Sequence, residues 1–328
     1  MTEILMPVRL SGPVIDSLSA RYTLHRLWEA ADEAAVLSEV APRIDVIVTA
    51  GSILASGMTF PVDGPFMSRF PALKLVANLG VGYDTVDAGW AAAHGIMVTN
   101  TPDVLTEETA DTAFGLLLNT VRQFPAAERW LRDGQWLTGP FQLTATLRGK
   151  TLGILGLGRI GKAIARRAEA FGLKIAYCGR ARQEGVAYAY HAMPRDLAAA
   201  CDILLVAAPG GAGTRHLVDT QVLEALGPEG FLINIARGSL VDEPALIAAL
   251  QARRIAGAGL DVFAAEPHVP DALLALDTVV LLPHVGSGTH ATRAAMARLL
   301  IDNVDAYATG RPLLTPVAEC LLVGSQTQ

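Results

Sequence analysis

The sequence predicts an α/β protein built from two parallel-sheet domains, and three observations predict it. Short apolar runs alternate with helical stretches in the first hundred residues. A strand, a G-x-G-x-x-G turn and a helix follow one another around Gly156. Four more apolar runs come after it, each ending in a chemically distinctive loop. At 328 residues the chain is long for a single core, so two domains are the natural expectation.

The glycine turn is the most informative stretch. An apolar strand from Thr151 to Leu155 enters Gly156-Leu157-Gly158-Arg159-Ile160-Gly161, and a helix then shows the stripe Ile160, Ile164, Ala168 and Phe171. Gly156 permits a tight turn, Gly158 removes a side chain where a pyrophosphate must approach, and Gly161 lets the helix pack close to the strand. The helix N-terminus then offers unpaired N–H groups and a positive dipole end to phosphates. This is a dinucleotide fingerprint in its proper context, and it makes this half of the chain a doubly wound sheet of Rossmann type. Arg159 and Ile160 join the three glycines as expected cofactor contacts.

The next strand, Leu173 to Tyr177, should end beside the adenine ribose, where a carboxylate usually binds the 2′-hydroxyl of NAD. The sequence there is Cys178-Gly179-Arg180-Ala181-Arg182. A carboxylate would repel a 2′-phosphate, whereas a guanidinium binds it through charge-assisted hydrogen bonds. NADP(H) is therefore expected over NAD(H), which stays possible, with Arg180 the first contact, Arg182 the second and Gly179 beside them. Pro209 opens a turn that keeps bulk away from a cofactor, and Thr214, Ala236 and Gly286 are further expected cofactor contacts.

Composition narrows the class. Hydrophobic residues make up 51% and charged residues 18%, which suits a packed α/β enzyme and excludes a disordered chain. The net charge of −6, with no long basic run, argues against nucleic acid as a partner. Cys178, Cys201 and Cys320 are odd in number and not in metal-ligand spacing, so no metal is expected and the thiols suit a reducing compartment. Met1 to Ser11 lacks the order of a signal peptide, and no apolar run has membrane-spanning length. A cytoplasmic protein without a membrane partner is expected.

In the first domain, strands are expected at Ile4–Val8, Tyr22–His25, Ile44–Thr49, Lys74–Asn78 and Ile96–Val98, with helices at Pro13–Ala20, Asp32–Val40 and Val86–His94. Ligands in such sheets sit beyond the carboxyl ends of strands. One such end could present Leu54 as an apolar wall. Another, Asn78-Leu79-Gly80-Val81-Gly82-Tyr83-Asp84, is read in two ways: glycines freeing backbone N–H groups for an anion, or a tight turn with Asp84 capping the next helix. Pro102 marks a boundary before one long helix from Thr106 to Phe124, which crosses into the second domain. Trp130, Trp136 and Phe141 are expected to pack, with a role at a neighbouring subunit's site as the alternative. A last helix from Thr289 to Thr309 returns to the first domain. Residues 1–100 and 289–328 are thus assigned to a flavodoxin-like substrate domain, and 101–288 to the dinucleotide-binding domain.

After the fingerprint, strands are expected at Ile203–Ala207, Phe231–Ile235, Ala256–Leu260 and Val279–Leu282. Arg237, Glu266 and His284 fall in loops on their common edge, and together they suit reduction of a 2-keto acid. As hydride reaches the carbonyl carbon, the carbonyl oxygen needs a proton and the carboxylate needs a cation. The fork of donors on Arg237 can hold carboxylate and carbonyl oxygen in one plane. Histidine titrates near neutrality, so His284 can give the proton, and Glu266 can orient and stabilise the imidazolium.

The chain resembles the D-2-hydroxyacid dehydrogenase family over nearly its whole length. The resemblance is carried by Leu79-Gly80-Val81-Gly82-Tyr83-Asp84, Thr106-Glu107-Glu108-Thr109-Ala110-Asp111, the glycine turn, Asn234-Ile235-Ala236-Arg237-Gly238, Leu260-Asp261-Val262-Phe263 with Glu266-Pro267, and Pro283-His284-Val285-Gly286-Ser287. It implies that Arg237 binds substrate, that Glu266 and His284 form the acid/base pair, that Asp261 meets the nicotinamide end, and that the amides of Val81 and Gly82 hold the substrate carboxylate. It also implies a homodimer. The missing acidic residue near Gly179 brings the chain closer to NADPH-dependent glyoxylate/hydroxypyruvate reductases and to reductases of aryl pyruvates. Pro209-Gly210-Gly211 departs from the bulkier residues common in the family. Phosphite or formate oxidation, or a non-enzymatic dinucleotide-sensing corepressor, are the alternatives on this fold.

Overall fold

A computed structural model describes residues 2–51 and 60–323. In chain order its elements are β1 (Glu3–Met6), α1 (Gly12–Ser19), β2 (Thr23–Arg26), α2 (Glu33–Val40), β3 (Val46–Ala50), α3 (Gly64–Met67), β4 (Leu75–Leu79), α4 (Ala88–Ala93) and β5 (Met97–Thr99). There follow α5 (Thr106–Arg122), α6 (Phe124–Arg132), β6 (Thr151–Leu155), α7 (Arg159–Ala170), β7 (Lys174–Cys178), β8 (Ala189–His191), α8 (Pro194–Ala199), β9 (Ile203–Val206) and α9 (Thr220–Leu226). The chain continues through β10 (Phe231–Asn234), α10 (Glu243–Gln251), β11 (Gly257–Leu260), α11 (Asp271–Leu274), β12 (Val279–Leu281), α12 (His290–Ala308) and α13 (Ala318–Val323). It divides into two compact units, residues 1–105 with 289–328, and 106–288. No helix among the described residues is long and apolar enough to cross a membrane.

The first unit is a five-stranded parallel sheet in the order β2-β1-β3-β4-β5, the flavodoxin-like arrangement. Its central strands β3 and β4 are buried throughout, as strands covered on both faces must be. The second unit is a seven-stranded parallel sheet, β12-β11-β10-β9-β6-β7-β8, which is the Rossmann order with one added edge strand. Its strand residues alternate between two cores: Leu204 and Val206 of β9 join one, Ile203 and Leu205 the other. Helices α8, α9 and α10 supply the first of these cores, α5 and α7 the second. Each fully buried leucine or isoleucine contributes roughly 1.5–3 kcal/mol, so this double layer is the main source of stability.

Helix starts follow side-chain chemistry. Asp32, Asp63, Asp87, Asp219 and Asp242 each cap a helix by accepting the N–H three residues on. The cap of α4 is therefore Asp87 and not Asp84, since the turn runs three residues further before the helix begins. Three other expectations are corrected. The long helix from Thr106 stops at Arg122: Gln123 adopts φ 52°, and Pro125, which cannot continue an N–H ladder, starts a new helix. In the stripe of α7, Ile164 and Ala168 are buried, but Phe171 lies past the helix end and is 48% exposed, its ring against Phe114 at 4.6 Å. Trp130 and Phe141 pack edge to face at 6.0 Å, while Trp136, also expected to pack, is 68% exposed.

Asp202 ties together the amino ends of β6 and β9. It accepts from Lys150 Nζ and from the Thr151 amide, both at 2.8 Å. Burial alone would raise its carboxyl, but these two donors outweigh burial and hold it below the aspartate value of 3.8. A depressed folded-state value means stability that is present above the unfolded value and lost as pH falls through the folded one. Asp202→Asn is accordingly expected to flatten the decline of Tm below about pH 4, measured by circular dichroism. An unchanged acid decline would count against this linkage.

Candidate active site

The glycine turn sits at the carboxyl end of β6, beside the crevice where the strand order reverses between β6 and β9. Gly156 has φ +97°, and a Cβ there would lie 2.6 Å from the Ala208 amide nitrogen, so only glycine allows this turn to pass the loop after β9. A Cβ on Gly161 would fall 2.3 Å from the Gly156 carbonyl oxygen, which is the close helix–strand packing expected. Around Gly158 nothing lies within 4 Å of a built Cβ, leaving open space before the first turn of α7, where Arg159 and Ile160 begin the helix. Open space, a bare helix N-terminus and no intruding side chain fit a dinucleotide pyrophosphate.

Beyond β7 the loop is held by residues that sequence reasoning missed. The wholly buried Tyr177 accepts at its hydroxyl from the Gln183 amide at 2.8 Å, and the Gln183 side chain donates to the Leu157 carbonyl at 2.8 Å. This ties the loop carrying Gly179, Arg180 and Arg182 to the glycine turn. Both arginines are exposed, and neither makes an ion pair among the described residues. Pro209 and Thr214 lie in the loop after β9, the Thr214 hydroxyl donating to the Pro209 carbonyl at 2.8 Å.

Arg237, Glu266 and His284 leave the carboxyl ends of β10, β11 and β12, three strands that are neighbours in the sheet. Asn234 shapes the first of these loops: its side chain accepts from the Ala236 amide at 3.0 Å and donates to the Arg237 carbonyl at 2.9 Å. Arg237 is half-buried, and its Nη1 donates to the Ala236 carbonyl at 2.7 Å. The Glu266 carboxylate is divided between two donors. Oε1 accepts from the Phe263 amide at 3.0 Å, and Oε2 meets His284 Nδ1 at 2.9 Å. Because a carboxylate only accepts, Nδ1 carries the proton in that bond and Nε2 is left as the ring's other working nitrogen. The pair is sheltered, with side-chain exposures of 19% for His284 and 11% for Glu266.

Asp261 anchors the histidine loop. It is 1% exposed, and its two oxygens accept from the Val285 amide at 2.7 Å and the Gly286 amide at 2.9 Å. Burial pushes its carboxyl upward, opposed by those two amides and by His284. The grip holds His284 in the left-handed region at φ 52°, a conformation uncommon for residues other than glycine. Gly286 is small for a related reason, since a Cβ there would meet Asp261 Oδ2 at 3.1 Å.

In the first unit, the loop after β4 has its carbonyls occupied. Gly80 accepts from the Thr101 amide at 2.9 Å, Val81 from Asn100 Nδ2 at 2.8 Å and Gly82 from Asn78 Nδ2 at 3.0 Å. The amides of Val81 and Gly82 have no hydrogen-bond acceptor among the described residues. Leu54, expected as an apolar wall, lies outside the described residues.

A Rossmann sheet with a pyrophosphate-sized turn, and an imidazole–carboxylate pair and an arginine on its carboxyl edge, define a dinucleotide-dependent oxidoreductase. Residues 114–286 match the NAD-binding domain of the D-isomer specific 2-hydroxyacid dehydrogenases. Glyoxylate/hydroxypyruvate reductase A of Arabidopsis thaliana is 47% identical over 96% of this chain and 98% of its own. Hydroxyphenylpyruvate reductase of Plectranthus scutellarioides is 44% identical over the same shares. The crystal structure of an NADPH-dependent glyoxylate/hydroxypyruvate reductase from Sinorhizobium meliloti, in complex with NADP and malonate, is 51% identical and aligns with a TM-score of 0.89 over 97% of both chains. The chain belongs to the D-isomer specific 2-hydroxyacid dehydrogenase family.

Proposed function

We propose that the protein reduces a small 2-keto acid, namely glyoxylate, hydroxypyruvate or an aryl pyruvate, to the D-2-hydroxy acid with NADPH. The observation that carries this reading is the 2.9 Å contact between His284 Nδ1 and Glu266, which leaves Nε2 to deliver a proton. The bound reduced dinucleotide supplies the hydride. Arg237 holds the carboxylate and carbonyl oxygen in one plane, and His284 protonates that oxygen while Glu266 stabilises the ring's positive charge. Asp261 fixes the histidine loop by the nicotinamide end, and Ala236 and Gly286 line the cofactor from adjoining loops. Val81 and Gly82 are assigned to the substrate carboxylate, supported by amides that no carbonyl of the described residues accepts.

NADP(H) is assigned through Arg180 and Arg182, supported by two exposed guanidinium groups and no carboxylate from Cys178 to Arg182. A homodimer belongs to the same proposal, supported by the exposed apolar run Leu131, Trp136, Leu137 and Leu143, which are 54%, 68%, 94% and 100% exposed.

The test is a turnover panel: purified protein with NADPH or NADH against glyoxylate, hydroxypyruvate, pyruvate and phenylpyruvate, and with NADP⁺ against phosphite and formate. Consumption of NADPH that depends on the keto acid is expected. Turnover of phosphite or formate alone, or of nothing despite intact cofactor binding, would replace the proposal with one of its alternatives. Arg180→Asp should lower kcat/KM with NADPH by about 10–100-fold, the loss of one charge-assisted contact, and leave NADH less affected. A wild-type preference for NADH would end the assignment.

A further inference from the structure

We infer that a chain of hydrogen bonds from Asn303 through Thr315 and Asn100 aims the amides of Val81 and Gly82 at the carboxylate of the 2-keto acid. Thr315 and Asn100 are thereby positioning residues for the substrate. Resting on the function proposed above, this assignment adds a segment near the end of the chain that no sequence motif singled out. Every residue in it belongs to the first unit.

The chain of bonds starts in α12. Asn303 is wholly buried and uses its full hydrogen-bonding capacity. Its Nδ2 donates to the Leu299 carbonyl at 2.8 Å and to the Thr315 hydroxyl at 2.9 Å. Its Oδ1 accepts from the Leu314 amide at 3.0 Å and the Thr315 amide at 3.2 Å. A hydroxyl that accepts from Nδ2 still has its proton to give, and Thr315 gives it to the Asn100 carbonyl at 2.7 Å. The Asn100 amide returns the contact to the Thr315 carbonyl at 3.3 Å. Beside this grip Pro316 bridges Thr99, and the Val317 amide donates to the Val98 carbonyl at 2.9 Å. With its backbone pinned in this way, Asn100 passes the chain of bonds onward: its Nδ2 donates to the Val81 carbonyl at 2.8 Å.

That last link sets the direction of an amide. A trans peptide holds its C=O and the next residue's N–H in one plane and pointing opposite ways. Fixing the Val81 carbonyl therefore fixes the aim of the Gly82 N–H. The preceding peptide is held likewise, since the Gly80 carbonyl accepts from the Thr101 amide at 2.9 Å, and this aims the Val81 N–H. Both donors come from the stretch after β5 that residues 315–317 pin. The two amides turn away from them and meet no acceptor among the described residues. Two N–H groups fixed beforehand bind a small anion without reorganising as it arrives.

The test separates aim from stability. Thr315→Val keeps the shape and removes the hydroxyl, and Thr315→Ser keeps the hydroxyl. KM and kcat are measured for the fastest keto acid of the panel at saturating NADPH, then KM for NADPH. Oxalate affinity is measured by calorimetry with NADP⁺ present, and Tm alongside. Thr315→Val is expected to raise the keto-acid KM and the oxalate Kd by about threefold or more, with kcat and the NADPH KM within about twofold. Thr315→Ser should recover most of the loss. A smaller change in either constant overturns the assignment, whether or not Tm falls, as does a loss that serine fails to recover. A parallel rise in the NADPH KM also overturns it, because it marks general loosening. If Thr315→Val does not fold, Asn100→Ala, which removes the last link and leaves Asn303 and Thr315 paired, decides on the same two constants. A wild type that binds oxalate in a Thr315-dependent way but turns over no keto acid keeps the chain of bonds and sinks the reductase reading. A wild type that does neither overturns both.

Discussion

Replacing His284 by alanine is expected to lower kcat/KM for keto-acid reduction by about 10²–10⁴-fold, the range of a lost general acid. The side chain is committed on one side to Glu266 at 2.9 Å and is only 19% exposed, so its proton-donating role is not shared with bulk solvent. Glu266→Gln should cost less, about tenfold or more, because an amide oxygen can still accept from Nδ1 but no longer carries the charge that favours the imidazolium. Cofactor affinity should stay as it is in both variants, since neither residue belongs to the glycine turn. Steady-state rates with NADPH, together with NADPH binding by fluorescence, separate these effects. Wild-type turnover in His284→Ala would remove the proposed proton donor altogether.

The second large effect is expected from Gly238→Ala. A Cβ at this position would stand 1.9 Å from the Phe263 carbonyl carbon and 2.4 Å from the Ala264 nitrogen. Backbone cannot swing aside as a flexible side chain would, so the loops after β10 and β11 must part. Overpacking of this kind costs about 3 kcal/mol or more, which corresponds to a fall in Tm of roughly 6–12 °C for a unit of this size. Activity should fall as well, because those loops carry Arg237 and Glu266. Gly213→Ala is the control: nothing lies within 4 Å of a built Cβ there, and Tm should move little. Equal stability of the two variants would contradict the contact.

Much of the site was legible because its signals are local. Chain order alone puts Arg237, Glu266 and His284 after successive apolar runs, and in a parallel sheet successive strand ends share an edge. The edge strand β8 was missed: Ala189, Tyr190 and His191 are half-buried at most, and an edge strand does not need the continuous apolar run that marks β9 or β10. The exposure of Phe171 was equally unreadable, because its spacing continues the stripe of α7 one residue past the end of the helix. Polar supports such as Asn234, Tyr177 and Gln183 had only a weak signal, a hydrogen-bonding residue at or after an apolar run.

The sequence by itself determined the two parallel sheets, the glycine turn and the residue types on the strand ends, since steric freedom at glycine and the period of apolar residues act over a few neighbours. Tertiary structure alone decided which groups touch. The two oxygens of Asp261 close on Val285 and Gly286, 24 and 25 positions away, and set His284 at φ 52°. Contacts of that range depend on how strands and helices are laid against each other, and hydrogen bonds are satisfied or left open only once that packing exists.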